Sequence, residues 1–244
     1  MTDDLANAAL RAIFDSDGDD GQTNFRGCLP SLKNVGVFNA KMLLMRGRGG
    51  DGSADGSAGT SQRPLQAMDI RIGKNDLDPR YDKDFTNVTD DGRKFMRGKL
   101  EYKRPLGWSR IAFNVLDRYG DNAWLGCGTT RKTHCDEVPG EWAVSYHGTE
   151  KDRVGSIAEN GYLLSKGKRF VYGFGIYSTP EIRVAESYAK GFTHAGDRYK
   201  VLVQNRINPE AVKIIPDTKT GFGEYWVTEK EEDIHPYGLL LKKV

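Results

Sequence analysis

Residues 142–149 read Trp-Ala-Val-Ser-Tyr-His-Gly-Thr. Trp142, Val144 and Tyr146 give this stretch the composition of a short strand, and it runs straight into His147-Gly148-Thr149. A Gly directly after a His leaves room for a ligand to approach the backbone. Downstream, residues 151–159 carry Val154, Ile157 and Ala158 at helical spacing, and Asn160-Gly161 closes the helix. Ile176 and Tyr177 lie on a short strand ended by Pro180, and residues 181–190 form a second helix with Ile182, Ala185 and Ala189 on its inner face. Residues 199–203, 211–215, 224–227 and 237–241 supply four more strands. Upstream, Leu100 to Tyr102 reads as a strand, Pro105-Leu-Gly107 as a turn, and Ile111, Phe113, Val115 and Leu116 as an apolar element of ambiguous period. Few helices, short strands and no repeated βαβ period predict an α+β fold.

Farther out the order thins. Residues 64–98 mix short apolar patches with Asn, Asp and Pro, the composition of turn-rich structure. From Gly47 to Ser61 the chain is almost entirely Gly, Ser, Ala and Asp, a flexible linker with no apolar anchor. Residues 3–14 suit a short helix. The acidic run from Asp15 invites a calcium-loop reading, but its sixth position is Asp20 and its twelfth Arg26, where Gly and Glu are required. Four segments are therefore expected: a partly helical 1–46, a linker 47–63, an irregular to α/β region 64–140 and a core 141–244.

The 244 residues hold 36 Lys and Arg against 34 Asp and Glu. That balance excludes a dedicated duplex-DNA binder, which needs a concentrated basic face, but leaves nucleic acid open as a substrate. Cys28, Cys127 and Cys135 are odd in number and lack a C-x-x-C pair, so no disulfide framework is expected. Cys127, His134 and Cys135 also lack the two ligand arms of a zinc site, so no metal is expected. The acidic start is unlike a signal peptide, and Leu239-Leu240-Leu241 is far too short to span a bilayer. The expectation is a soluble intracellular protein, cytoplasmic or nuclear, with no membrane partner. Trp108, Trp124 and Trp142 are expected to anchor the core.

Three segments carry chemistry: Tyr146 to Thr149, Tyr172 to Ser178 and Gly223 to Val227. A Tyr on a Gly-flanked strand can stack on a planar ring. A Glu opening a strand can accept hydrogen bonds from sugar hydroxyls and oppose positive charge on an anomeric carbon. In order and spacing, these residues resemble the catalytic domain of the poly(ADP-ribose) polymerase family of ADP-ribosyltransferases, known by a His–Tyr–Glu signature. The matching positions are His147, Tyr177 and Glu224. A second stacking tyrosine stands eleven residues after the first, at Tyr188, and Glu224-Tyr-Trp-Val227 is followed by Tyr237 and an apolar strand. The resemblance covers roughly residues 141–244.

It implies an ADP-ribosyltransferase-like fold of two packed, mostly antiparallel sheets with a few flanking helices. It also implies NAD as co-substrate without a metal. Gly148 would pair through its backbone with the nicotinamide carboxamide, and His147 would bond a ribose hydroxyl of the adenosine half. Tyr177 and Tyr188 would sandwich the nicotinamide ring, and Glu224 would hold the nicotinamide ribose and stabilise the oxocarbenium-like transition state. The family places a Ser three residues before the second Tyr; this chain has Ala185, and Thr149, Ser178 and Ser187 are the hydroxyls that would replace it. The loop 163–173 would form a short lid, with Lys166, Lys168 and Arg169 meeting the pyrophosphate. Only 77 residues separate His147 from Glu224, so the loops are trimmed, which favours mono-transfer to a protein or nucleic-acid acceptor. The alternative is an inactive module of the same fold that binds NAD, ADP-ribose or a partner. An RNA 2′-phosphotransferase would require an Arg-bearing catalytic set, which Tyr177 and Glu224 do not match.

Overall fold

The computed structural model describes residues 74–166, 171–194 and 196–244. Their strands are β1 (Lys83–Asp84), β2 (Met96–Arg97), β3 (Leu100–Glu101), β4 (Ser109–Ala112), β5 (Ala143–Gly148), β6 (Ile176–Ser178), β7 (Phe192–His194), β8 (Asp197–Ile207), β9 (Lys213–Ile215), β10 (Tyr225–Thr228) and β11 (Ile234–Lys243). The helices are α1 (Lys151–Asn160), α2 (Ile182–Tyr188) and the single turn α3 (Asp217–Thr220). A six-stranded sheet runs β1-β4-β11-β8-β5, with β7 folded back on β8. A three-stranded sheet runs β6-β10-β9, and β2-β3 is a separate hairpin. Every pairing is antiparallel. The architecture is mixed α and β with antiparallel sheets and few helices, as expected.

Both faces of the large sheet are covered, which explains why its central strands read as continuous apolar runs. Val201, Val203, Leu239 and Leu241 point into a larger core with Trp124, Val154, Ile176 and Trp226. Leu202 and Leu240 point the other way, to Trp108, Val144, Tyr146, Ala185 and Ala189. Leu239-Leu240-Leu241 is thus a strand buried on both sides, each residue at 1% exposure or less. No helix among the described residues is long and apolar enough to cross a membrane.

Several elements run longer or shorter than their apolar residues suggest. β8 continues through Gln204, Asn205 and Arg206, all buried, because the ladder to β5 and β11 continues there. α2 is shorter than 181–190 because Ala189 is already extended. α1 ends as expected, with Gly161 in a positive-φ conformation and its N–H bonded to the Ile157 carbonyl at 2.9 Å. The boundary at 141 does not divide packed units, since β4 pairs directly with β11. Trp108 and Trp124 are buried and Trp142 half-buried, all in the packed interior. The helix at 3–14, the calcium-like run, Cys28 and the linker lie outside the described residues.

Candidate functional site

Besides packing on a shared core, the two sheets are joined by one backbone bridge. Tyr146 on β5 and Thr179 just beyond β6 exchange backbone hydrogen bonds of 2.7 and 3.0 Å, and this bridge is isolated. Past it, toward His147 and Gly148, β5 and β6 part. Since Tyr146 turns its N–H and C=O to this edge, strand alternation turns those of Gly148 the same way, away from β8. No hydrogen bond to either group is found there among the described residues. A backbone donor and acceptor side by side at an open edge match the two halves of a carboxamide.

His147 lines this parting. Its Nδ1 lies 2.8 Å from the Tyr177 carbonyl, which can only accept, so Nδ1 carries the proton and Nε2 is left as an acceptor in the neutral ring. Burial lowers the imidazole pKa, the Tyr177 carbonyl partly opposes that, and Arg153 adds to it. The neutral ring, able to accept from a sugar hydroxyl, is therefore favoured. The Tyr162 ring stands edge-on to it at 5.2 Å.

The glycine after His147 serves helix packing as well as access. A Cβ on Gly148 would lie 2.1 Å from the Ala185 carbonyl oxygen and 2.7 Å from Tyr188 Cβ, so α2 rests directly on the strand. Tyr188 is brought beside Gly148 by that packing. Its ring is 58% exposed and its hydroxyl bonds that of Tyr225 at 2.7 Å. Burial, with the Tyr188 hydroxyl, raises the Tyr225 pKa. Tyr177 shares a face of the smaller sheet with Tyr225; its hydroxyl accepts from the Tyr172 N–H at 2.8 Å and donates to the Gly173 carbonyl at 2.6 Å. Those bonds fold residues 172–175 over the strand, and Gly175 has no room for a Cβ because the Thr228 carbonyl would lie 2.6 Å from it.

Glu224 precedes β10 rather than opening it. Its carbonyl accepts from Thr179 Oγ1 at 2.7 Å, its N–H donates to Glu181 Oε1 at 3.3 Å, and its carboxylate Oε1 accepts from Trp226 Nε1 at 2.5 Å. The register pairs Trp226 with Ser178 and Val227 with Tyr177. The carboxylate therefore shares a row with Trp226 and Ser178, and the Tyr177 ring leaves the opposite face with Tyr225. The structure thus joins His147 to Tyr177 and Gly148 to Tyr188 at the parted strands, while Glu224 is tied through its backbone to Thr179 and Glu181, its carboxylate on the face of the smaller sheet opposite the Tyr177 ring.

The hydroxyls expected to replace the missing serine are placed differently. Thr149 and Ser178 are 5% and 4% exposed, inside the packed protein, and Ser178 Oγ has no partner. Ser187 Oγ is spent on the Val184 carbonyl of its own helix at 2.7 Å. Lys168 and Arg169 lie outside the described residues, and only the backbone of Lys166 is described, at the end of a short 3-10 turn. A cavity of about 550 Å³ is lined by Tyr162, Trp142 and His235; Glu231 and Glu232 also line it, without any Lys or Arg, the wrong sign for a pyrophosphate.

Thr179, Glu181, Tyr162 and Trp226 were not legible as site residues. Their only sequence signals are Thr179 following the Tyr177 strand and Trp226 standing two residues after Glu224 on the same strand face. No protein-family model matches the chain, and no curated protein matches it either.

Proposed function

We propose that the chain is an NAD-dependent ADP-ribosyltransferase with an ADP-ribosyltransferase-like fold, acting by mono-transfer on a protein or nucleic-acid acceptor. The observation that carries this is the unpaired N–H and C=O of Gly148 at the parted edge, between His147 and Tyr188. A carboxamide docked there would complete both groups, with Tyr188 offering a ring beside it. His147 Nε2 would accept from a ribose hydroxyl of the adenosine half, and Glu224 from the 2′-hydroxyl of the nicotinamide ribose.

In the reaction the bond from the anomeric carbon to the nicotinamide nitrogen breaks, and its electron pair leaves with neutral nicotinamide. The oxocarbenium-like carbon is then attacked by the lone pair of the acceptor nucleophile, whose proton passes to Glu224 or solvent. The protein contributes mainly position and a fixed negative charge near the developing positive one. Labelled NAD should yield free nicotinamide and a modified acceptor, and Glu224→Gln should remove both. A folded protein with no turnover against any extract would refute the activity.

A second reading has its own support: with Ala185 in place of the family's Ser and Ser187 bonded within its helix, the carboxamide has one hydroxyl donor fewer. The same fold would then hold NAD or ADP-ribose without turning it over. Thermal melting separates the two, because NAD stabilises the protein in both cases while only the transferase releases nicotinamide.

A further inference from the structure

Glu224 lies outside the β10 ladder; Thr179 and Glu181 hold its backbone, and a side-chain contact holds its carboxylate. Among the described residues that contact is the bond from Trp226 Nε1 to Oε1 at 2.5 Å. Trp226 cannot swing to follow a moving partner. It is 2% exposed in the larger core, and its backbone is paired with Ser178 on one side and Ile214 on the other. An indole N–H only donates, and the carboxylate oxygen accepts from it.

We infer that Trp226 is the positioning residue of Glu224: it occupies Oε1, fixes the carboxylate plane, and leaves Oε2 as the oxygen that meets the ribose hydroxyl. The resemblance asks only for an apolar side chain at this position, and an aliphatic one would bury equally well without holding the carboxylate. The bond itself is independent of the proposed activity; its catalytic consequence rests on the transferase reading.

Two measurements test it. The sequence has four tryptophans, so a nitrogen–proton correlation spectrum of the full chain contains four indole signals, and Trp226→Phe identifies its own by loss. Glu224→Ala should move that signal upfield and leave the other three in place. Trp226→Phe keeps an aromatic ring, smaller than the indole, and removes the donor. It should lower kcat for nicotinamide release by about 10- to 100-fold while KM for NAD stays within about twofold. A purely structural Trp226 would instead reduce the amount of folded protein without splitting kcat from KM. An indole signal that ignores Glu224→Ala overturns the inference, even if Trp226→Phe does not fold. A folded Trp226→Phe with parental kcat overturns it too. If the parent releases no nicotinamide, the transferase reading fails alone, and a moved indole signal still supports the pairing.

Discussion

Two glutamates, each just before a strand, have opposite surroundings. Glu141, just before β5, is wholly buried. Arg131 reaches both of its oxygens at 2.5 and 2.6 Å, Arg206 donates to Oε1 at 2.9 Å, and Arg97 Nε stands 3.4 Å away. Glu224, just before β10, is half-buried and its carboxylate receives one indole N–H. The first carboxylate is saturated, and its guanidiniums tie the β2-β3 hairpin, the loop before β5 and β8 into one body. The second keeps an oxygen for a ligand. The number of donors around a carboxylate, more than its burial, separates an anchor from a reagent.

The comparison can be broken in four ways. Glu141→Ala should have the largest effect, about 3–5 kcal/mol of stability, because the buried Arg206 and the half-buried Arg97 and Arg131 lose their counter-charge; chemical denaturation measures it, and an unchanged midpoint would deny the anchor role. Glu224→Gln should leave the denaturation midpoint nearly unmoved and reduce nicotinamide release by about 100- to 1000-fold. A reversal, with Glu224 governing stability and Glu141 turnover, would invert the assignment of both residues. Gly148→Ala should cost about 1–3 kcal/mol, as α2 must back away from a Cβ set against Ala185. It should also abolish thermal stabilisation by NAD; retained stabilisation would place the ligand elsewhere.

The smallest effect is on pH dependence. His235 is stacked between Tyr119 at 3.9 Å and Trp142 at 4.5 Å, and burial, partly offset by the Glu232 carbonyl and Asp233, lowers its pKa to about 4. The unfolded chain takes up that proton near 6.5, so stability is complete above 6.5 and declines as pH falls from there toward 4. His147 acts in the same direction. Burial raises the Glu141 carboxyl pKa, but Arg131 and Arg206 outweigh it, so its contribution persists above the ordinary value of 4.5 and is lost on further acidification. The melting temperature should be flat above pH 6.5 and fall by roughly a few degrees below it. His235→Gln should shallow that decline; a rise on acidification would contradict the burial argument.

Much of the local structure was legible because periodicity is local. Asn160-Gly161 marks the end of α1, and Pro180 closes β6, from residue chemistry alone. The strand ends were less legible, since Gln204 and Arg206 are strand residues only because β5 and β11 lie on either side of them. β7 was missed for the same reason: Phe192-Thr-His194 has no apolar period of its own and is held by pairing to β8. The buried arginine cluster was invisible because Arg97, Arg131, Glu141 and Arg206 are far apart along the chain and each reads as an ordinary surface charge.

The sequence by itself determined the α+β class, most element types and the order of His147, Tyr177, Tyr188 and Glu224. Tertiary structure decided which groups remain open to a ligand. Gly148 keeps a free backbone pair only because β5 and β6 part after a single bridge, and the hydroxyls of Ser178 and Ser187 are withdrawn by burial and by helix back-bonding. Availability depends on what surrounds an atom in space, and that surrounding is assembled from residues that no local pattern connects.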